Sequence, residues 1–346
     1  NGGDIDFQGA VNADDESNIR NLELTADGGD INFGDEIGDD EKLDNVVITN
    51  AKDVIFKAVN LDGKLEQEEG TGSTTIGNSV TTGGIVDLKN NAINVNNLIT
   101  GNGGVTLTGT IKLASSISTS GDLIKLDGDI TRISTSGVTL NSSGGDIEIT
   151  GKLDADDVTA TRNLTIIANN GDVTFGNNIG DIKALDNILI ASADNVSFNS
   201  VTLDGSLTQN SGSGATTFDS AVNVGNEVNI STDTIDINSS ITAVNQVILN
   251  ADKLVKIGAD ITTTDENIEI SGNILRDNKD DVTLSTGAGS GDIIINNTIN
   301  ADSDTRNLSL NSAAGEVQIN GAIGDAQKLN KLTLTTGQEL FIDSAV

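Results

Sequence analysis

Six residue types are missing from this 346-residue chain: Pro, Cys, Met, Trp, Tyr and His. Each absence excludes something. Proline has no N–H to give a β-ladder and survives only at sheet edges and in turns. At the usual frequency of about 5% a chain of this length would hold roughly 17 prolines. Their exclusion points to strands that have neighbours on both sides. Without cysteine there are no disulfides, no thiolate chemistry and no cysteine-ligated zinc. Without histidine, cysteine or tyrosine, no Ser-His-Asp triad, cysteine nucleophile or imidazole metal ligand can be assembled. What remains is carboxylate, Lys or Arg chemistry of the kind a β-helical polysaccharide lyase would use. No run approaches the roughly 18 apolar residues of a membrane-spanning helix. Aromatics are reduced to 7 Phe.

Acids are plentiful. There are 52 Asp and Glu against 19 Lys and Arg, a net charge of −33. Such a field repels nucleic acid and anionic membrane surfaces. It suits a soluble particle surrounded by salt or divalent cations.

The chain repeats itself. Arg-Asn-Leu occurs at 20–22, 162–164 and 306–308, spacings of 142 and 144 residues. Ile-Gly-Asp follows at Ile37, Ile179 and Ile323, and a leucine at Leu43, Leu185 and Leu329. The expected organisation is one continuous segment, 1–346, carrying a long repeat of about 143 residues. Residues 1–19 end a preceding unit, 20–161 form unit 1, 162–305 unit 2 and 306–346 a truncated third. Opening and closing inside a unit suggests a piece of a longer array.

A shorter rhythm runs inside each long unit. Segments such as "VVIT", "IVDL", "VTLTG" and "DIEIT" alternate apolar and polar residues with period two, separated by Gly, Asn, Asp and Ser clusters. Helical i, i+3, i+4 spacing is absent. A β-sandwich would not show so long a self-similarity. The expected fold is all-β, a parallel β-solenoid of about 20 residues per coil, about 17 coils and seven turns per long unit. Phe33 and Phe175 align with Ile319, Phe7 with Ile149 and Phe218 with Ile76, so the aromatics fill interior columns. The expected core columns are Phe33, Phe175 and Ile319, and Leu43, Leu185 and Leu329.

Corner positions are marked by glycine. Gly29, Gly171 and Gly315, and Gly38, Gly180 and Gly324, are expected to supply the positive φ of tight turns. Asp residues after such glycines can bond to backbone N–H groups. A sharper reading makes Asp4, Asp30, Asp146, Asp172 and Asp292 weak calcium candidates, stacked ~4.8 Å apart on successive coils. The nine-residue calcium-roll pattern is not met. Calcium is therefore the one cofactor left open, and no catalytic or cofactor-binding residue is assigned. The acidic runs "DEIGDDEKLD" (35–44) and "LEQEEG" (65–70) lose most of their charge in the second unit, which marks a solvated face rather than an acid/base site. Arg20, Arg162 and Arg306 are retained among acids. A structural ion pair with an Asp on an adjacent coil is expected for each, the Asp39, Asp181 and Asp325 column being one candidate, with an anionic ligand as the alternative. The threonines at 262–264 and near 117–120 read as isolated, which argues against an ice-binding array.

The segments "RNLTIIANNGDVTFGNNIG" and "VTLSTGAGSGDIIINNTINAD" resemble the repeat shafts of large secreted bacterial adhesins of the filamentous haemagglutinin type and related β-strand-repeat surface proteins. The resemblance spans essentially the whole chain and is one of rhythm and composition. It implies a right-handed parallel β-helix, export to the cell surface, and a role as an adhesive or structural fibre. The reading is a non-enzymatic shaft, extracellular, on the cell surface or in a secreted filament. Its expected partners are itself or further repeats end to end, and cell-surface glycans or host or neighbouring cell surfaces. No nucleic acid or membrane insertion is expected. Two other readings stand beside it: a β-helical carbohydrate-binding or polysaccharide-cleaving protein, and a calcium-dependent surface-layer or biofilm matrix protein.

Overall fold

Period-two alternation in segments rich in Val, Ile and Thr places one side chain in and the next out, and that pattern builds the whole structure. The computed structural model describes residues 2–15, 19–159, 161–279, 281–303 and 305–343. The last residues expected of the truncated third unit, 344–346, lie outside the described residues. Among the described residues there is no helix, and the strands pair in parallel to form a β-solenoid of about 15 turns. The number of turns is close to the one expected.

The chain divides into two units, Asn1–Asn177 and Asn178–Val346. In the first, each circuit lays one strand on each of three columns. One column runs from Leu22 through Val46, Leu65, Val86, Val105 and Ile124 to Ile147, each residue in register with the one below. A second runs from Val59 through Val80, Ile99 and Ile117 to Leu140. The third holds Phe7 on Phe33, then Phe56, Ile76, Val95, Leu113, Arg132 and Ala155, while Phe175 stands in the first column on Ile149. The Phe rings stack with centroids 4.8 and 5.4 Å apart and planes within 11° of parallel. That spacing is the strand separation itself, so the ladder sets the stacking. The second unit repeats the arrangement, with Phe198 on Phe218 at 5.4 Å, followed by Ile237, Ile257, Arg276 and Ala301. Phe33, Phe56, Phe175, Phe198 and Phe218 are all buried, as the interior reading expects, whereas Phe7 is half-buried and Phe341 is exposed.

The long repeat is not a whole number of turns. Leu22 and Leu164 occupy the same place in it, yet they lie in different columns. Six circuits carry the chain from Leu22 to Ile147. Two further columns, at Leu153 and then Leu164, complete the repeat. The second unit gives the same count: six circuits take Ile179 to Leu310, and Val317 and Ile323 follow. The period is six and two-thirds turns, rather than the seven expected.

The threonines need a correction as well. Thr262 stands in register with Thr242 and Ser285, and Ser118 with Thr100 and Thr81. They belong to outward columns that also contain Asn60 and Asn223, and the result is a mixed uncharged stripe.

Candidate functional site

The residues singled out in the sequence converge on the corners. At Gly29, Gly171 and Gly315 a Cβ would lie 2.4, 2.0 and 2.1 Å from the carbonyl oxygens of Gly3, Gly145 and Gly291, one turn away. Glycine is required there by close approach, which corrects the expectation of positive φ. The left-handed conformation falls on the residues just before: Asp27 (47°) and Gly28 (95°), Asn169 (53°), and Ala313 (48°). Gly38, Gly180 and Gly324 do take positive φ, at 71°, 69° and 70°. Leu43 and Leu185 bridge to Leu61 and Leu203 and are buried, whereas Leu329 lies in the last turn and is half-buried. Ile319 is fully buried.

The aspartates of the calcium reading stand one per turn and act on backbone. Asp4 Oδ1 accepts from the Asp30 amide at 3.0 Å, Asp146 Oδ1 from the Asp172 amide at 2.8 Å, and Asp292 Oδ1 from the Glu316 amide at 2.8 Å. Asp30 in turn accepts from the Asp53 amide at 3.3 Å, and Asp53 from the Ser73 amide at 2.7 Å. Asp4, Asp30, Asp53, Asp146 and Asp292 thus stitch one corner to the next, where the ladder alone would leave an amide unanswered. Lys52 lies between Asp30 (3.4 Å) and Asp53 (2.8 Å). It holds the Asp53 carboxyl below the usual carboxylate range, helped by Ser73. Among the described residues, no three acids converge in a way that could hold a metal ion.

The three retained arginines form ion pairs, but within their own connections. Arg162 Nε meets Asp156 Oδ1 at 2.6 Å, Arg306 Nε meets Asp302 Oδ1 at 2.6 Å, and Arg20 pairs with Asp14. These bonds lower the pKa of each carboxyl. The suggested Asp39 is not the partner of Arg20, nor Asp325 that of Arg306. Asp39 instead hydrogen-bonds Glu36 and raises its pKa.

Two functional positions escaped the sequence reading. Arg132 and Arg276 are fully buried, and among the described residues no carboxylate is hydrogen-bonded to either guanidinium, although that of Asp277 lies near Arg276. Burial pulls each pKa down to about 10, so both stay charged at neutral pH. The second is a buried polar pair in each unit: Thr74 donates to Gln67 Oε1 at 2.5 Å, and Thr216 to Gln209 Oε1 at 2.6 Å. The signal was present in both cases. "ITR" (130–132) and "ILR" (274–276) put an arginine in an inward phase 144 residues apart, and "LEQ" (65–67) and "LTQ" (207–209) do the same for glutamine.

No protein family, curated protein or solved structure matches this chain. The chemistry of the site must therefore be taken from its own geometry: carboxylates, amides and guanidinium groups arranged to join each turn to the next.

Proposed function

We propose that the chain is a non-enzymatic structural segment of a repetitive extracellular surface or filament protein, a shaft that carries other parts of an adhesive fibre. The observation that supports this reading is where the repeated residues are used. The corner glycines touch the carbonyls of the adjacent turn, the aspartates bond to its amides, and the leucines bridge to its leucines. Sequence retained from one long unit to the next serves cohesion between turns. Hydrogen bonds between parallel strands run along the stacking direction, so load applied in that direction falls on ladders, corner bonds and core columns together. The acidic coat, part of a net charge of −33, keeps such a surface hydrated and repels its copies. Further repeats of the same kind and cell-surface glycans are the partners this reading names.

The test is single-molecule pulling on the full chain held at its two ends. A shaft of this kind is expected to give a series of force peaks, with each released turn of ~20 residues adding on the order of 7 nm of contour. A featureless extension at low force would overturn the mechanical reading.

A further inference from the structure

The buried arginines are the feature that the shaft reading does not use. A guanidinium in an apolar column is costly, yet it recurs at the same place in the long repeat, each time after two aliphatic residues. Arg132 follows Val95 and Leu113 and lies under Ala155; Arg276 follows Ile237 and Ile257 and lies under Ala301. The small alanine in the next turn leaves room for the guanidinium.

The corner beside them changes where the arginine enters. In the two turns before Arg132 the connections are three residues long, 96–98 and 114–116; then come 133–137 and 156–162. In the second unit the connections 219–221, 238–240 and 258–260 precede 277–280 and 302–306. A three-residue link can stack backbone on backbone. A longer one turns carbonyls inward, out of the ladder. The guanidinium answers these. Arg132 donates to the carbonyls of Leu113 in the turn before, Ser134 (3.3 Å) and Ser136 (3.1 Å) in its own connection, and Asn163 (3.1 Å) in the turn after. Arg276 donates to Asp277 (3.3 Å), Lys279 (3.1 Å) and Asn307 (3.4 Å). Arginine suits this task because its five N–H groups fan out in a fixed plane.

We propose that Arg132 and Arg276 are internal clamps, placed once per long repeat, that let one corner of the coil change from short to long connections without losing order between turns. Replacing a buried charge by an apolar side chain is often neutral for global stability, so the readout has to be local. Hydrogen exchange on the full chain carrying Arg132→Met is expected to show at least tenfold faster exchange in 133–137 and at 163–165. The strands Val86–Val95 and Val105–Leu113 and the Arg276 corner should be unchanged. Arg132→Lys should behave like Arg132→Met, since one ammonium cannot serve three turns. Unchanged exchange at 133–137 in the Met variant would overturn the proposal. If Arg132→Met unfolds the whole first unit, a second variant decides. It combines Arg132→Met with both long connections replaced by the three-residue link 114–116. Recovered protection supports the clamp; continued unfolding overturns it.

Discussion

At the scale of single residues, the corner glycines show how two causes of the same letter can be separated. Gly171 has an ordinary φ and a carbonyl oxygen 2.0 Å from where its Cβ would be. Gly137 has neither a positive φ nor an atom of another turn within 4 Å of that point. Gly171→Ala is therefore expected to lower stability by about 1–3 kcal/mol, the usual cost of overpacking. Gly137→Ala should stay within about 0.5 kcal/mol. Urea midpoints for the two variants check this, and equal shifts would mean that the corner is not closely stacked. In the sequence each of these glycines sits in a turn cluster just before an alternating segment, and the two look alike.

At the scale of strands and columns, what matters is which side chain follows which along the stack. Phe56 has Phe33 on one side and Ile76 on the other, all fully buried. The column already exchanges aromatic for aliphatic from turn to turn. Phe56→Ile is expected to cost less than about 1.5 kcal/mol, whereas Phe56→Ala, which opens a cavity between two turns, should cost about 3–5 kcal/mol. Thermal and denaturant melts of the pair would show whether the column tolerates shape but not loss of volume. Similar losses for both would mean that ring stacking itself is required.

At the scale of the whole molecule, the carboxylates pull in two directions as pH changes. Those of Asp14, Asp53, Asp156 and Asp302 are held below the ordinary value of 3.8 by their cationic partners. The stability they contribute is complete above that value and is lost as pH falls through their lowered native pKa values. Asp87 is raised by burial and by Glu66 in register beside it, and Asp277 by burial and Asp236. Glu36 is raised by Asp39. For these three the native state binds protons more readily than the unfolded chain, so stability grows as pH drops from neutral toward their ordinary values of 3.8 and 4.5. Protonation also relieves the self-repulsion of a net charge of −33. The melting temperature at fixed ionic strength is expected to rise from pH 7 to a maximum near 4–5 and to fall below about 3.8. A steady decline from pH 7 downward would contradict the charge assignments.

Much of this was legible in the sequence, because a solenoid writes its local rules over and over. Alternation gave the strands, the Phe-to-Ile exchanges gave the interior columns, and the recurrence of Arg-Asn-Leu at 142 and 144 residues gave the long period. These are local or periodic properties, and a linear string preserves them. Stacking offsets are not preserved in that way. Turns vary in length, so the string does not show that the long repeat closes after six and two-thirds circuits and moves Leu164 to a different column from Leu22. For the same reason the carboxylate paired with Arg162 is Asp156: a few residues of extra connection bring it to the guanidinium. The buried Arg132 depended most on tertiary structure. Its place in an alternating segment marked it as inward, but only the stacked connections around it supply the carbonyls that make an inward charge tolerable.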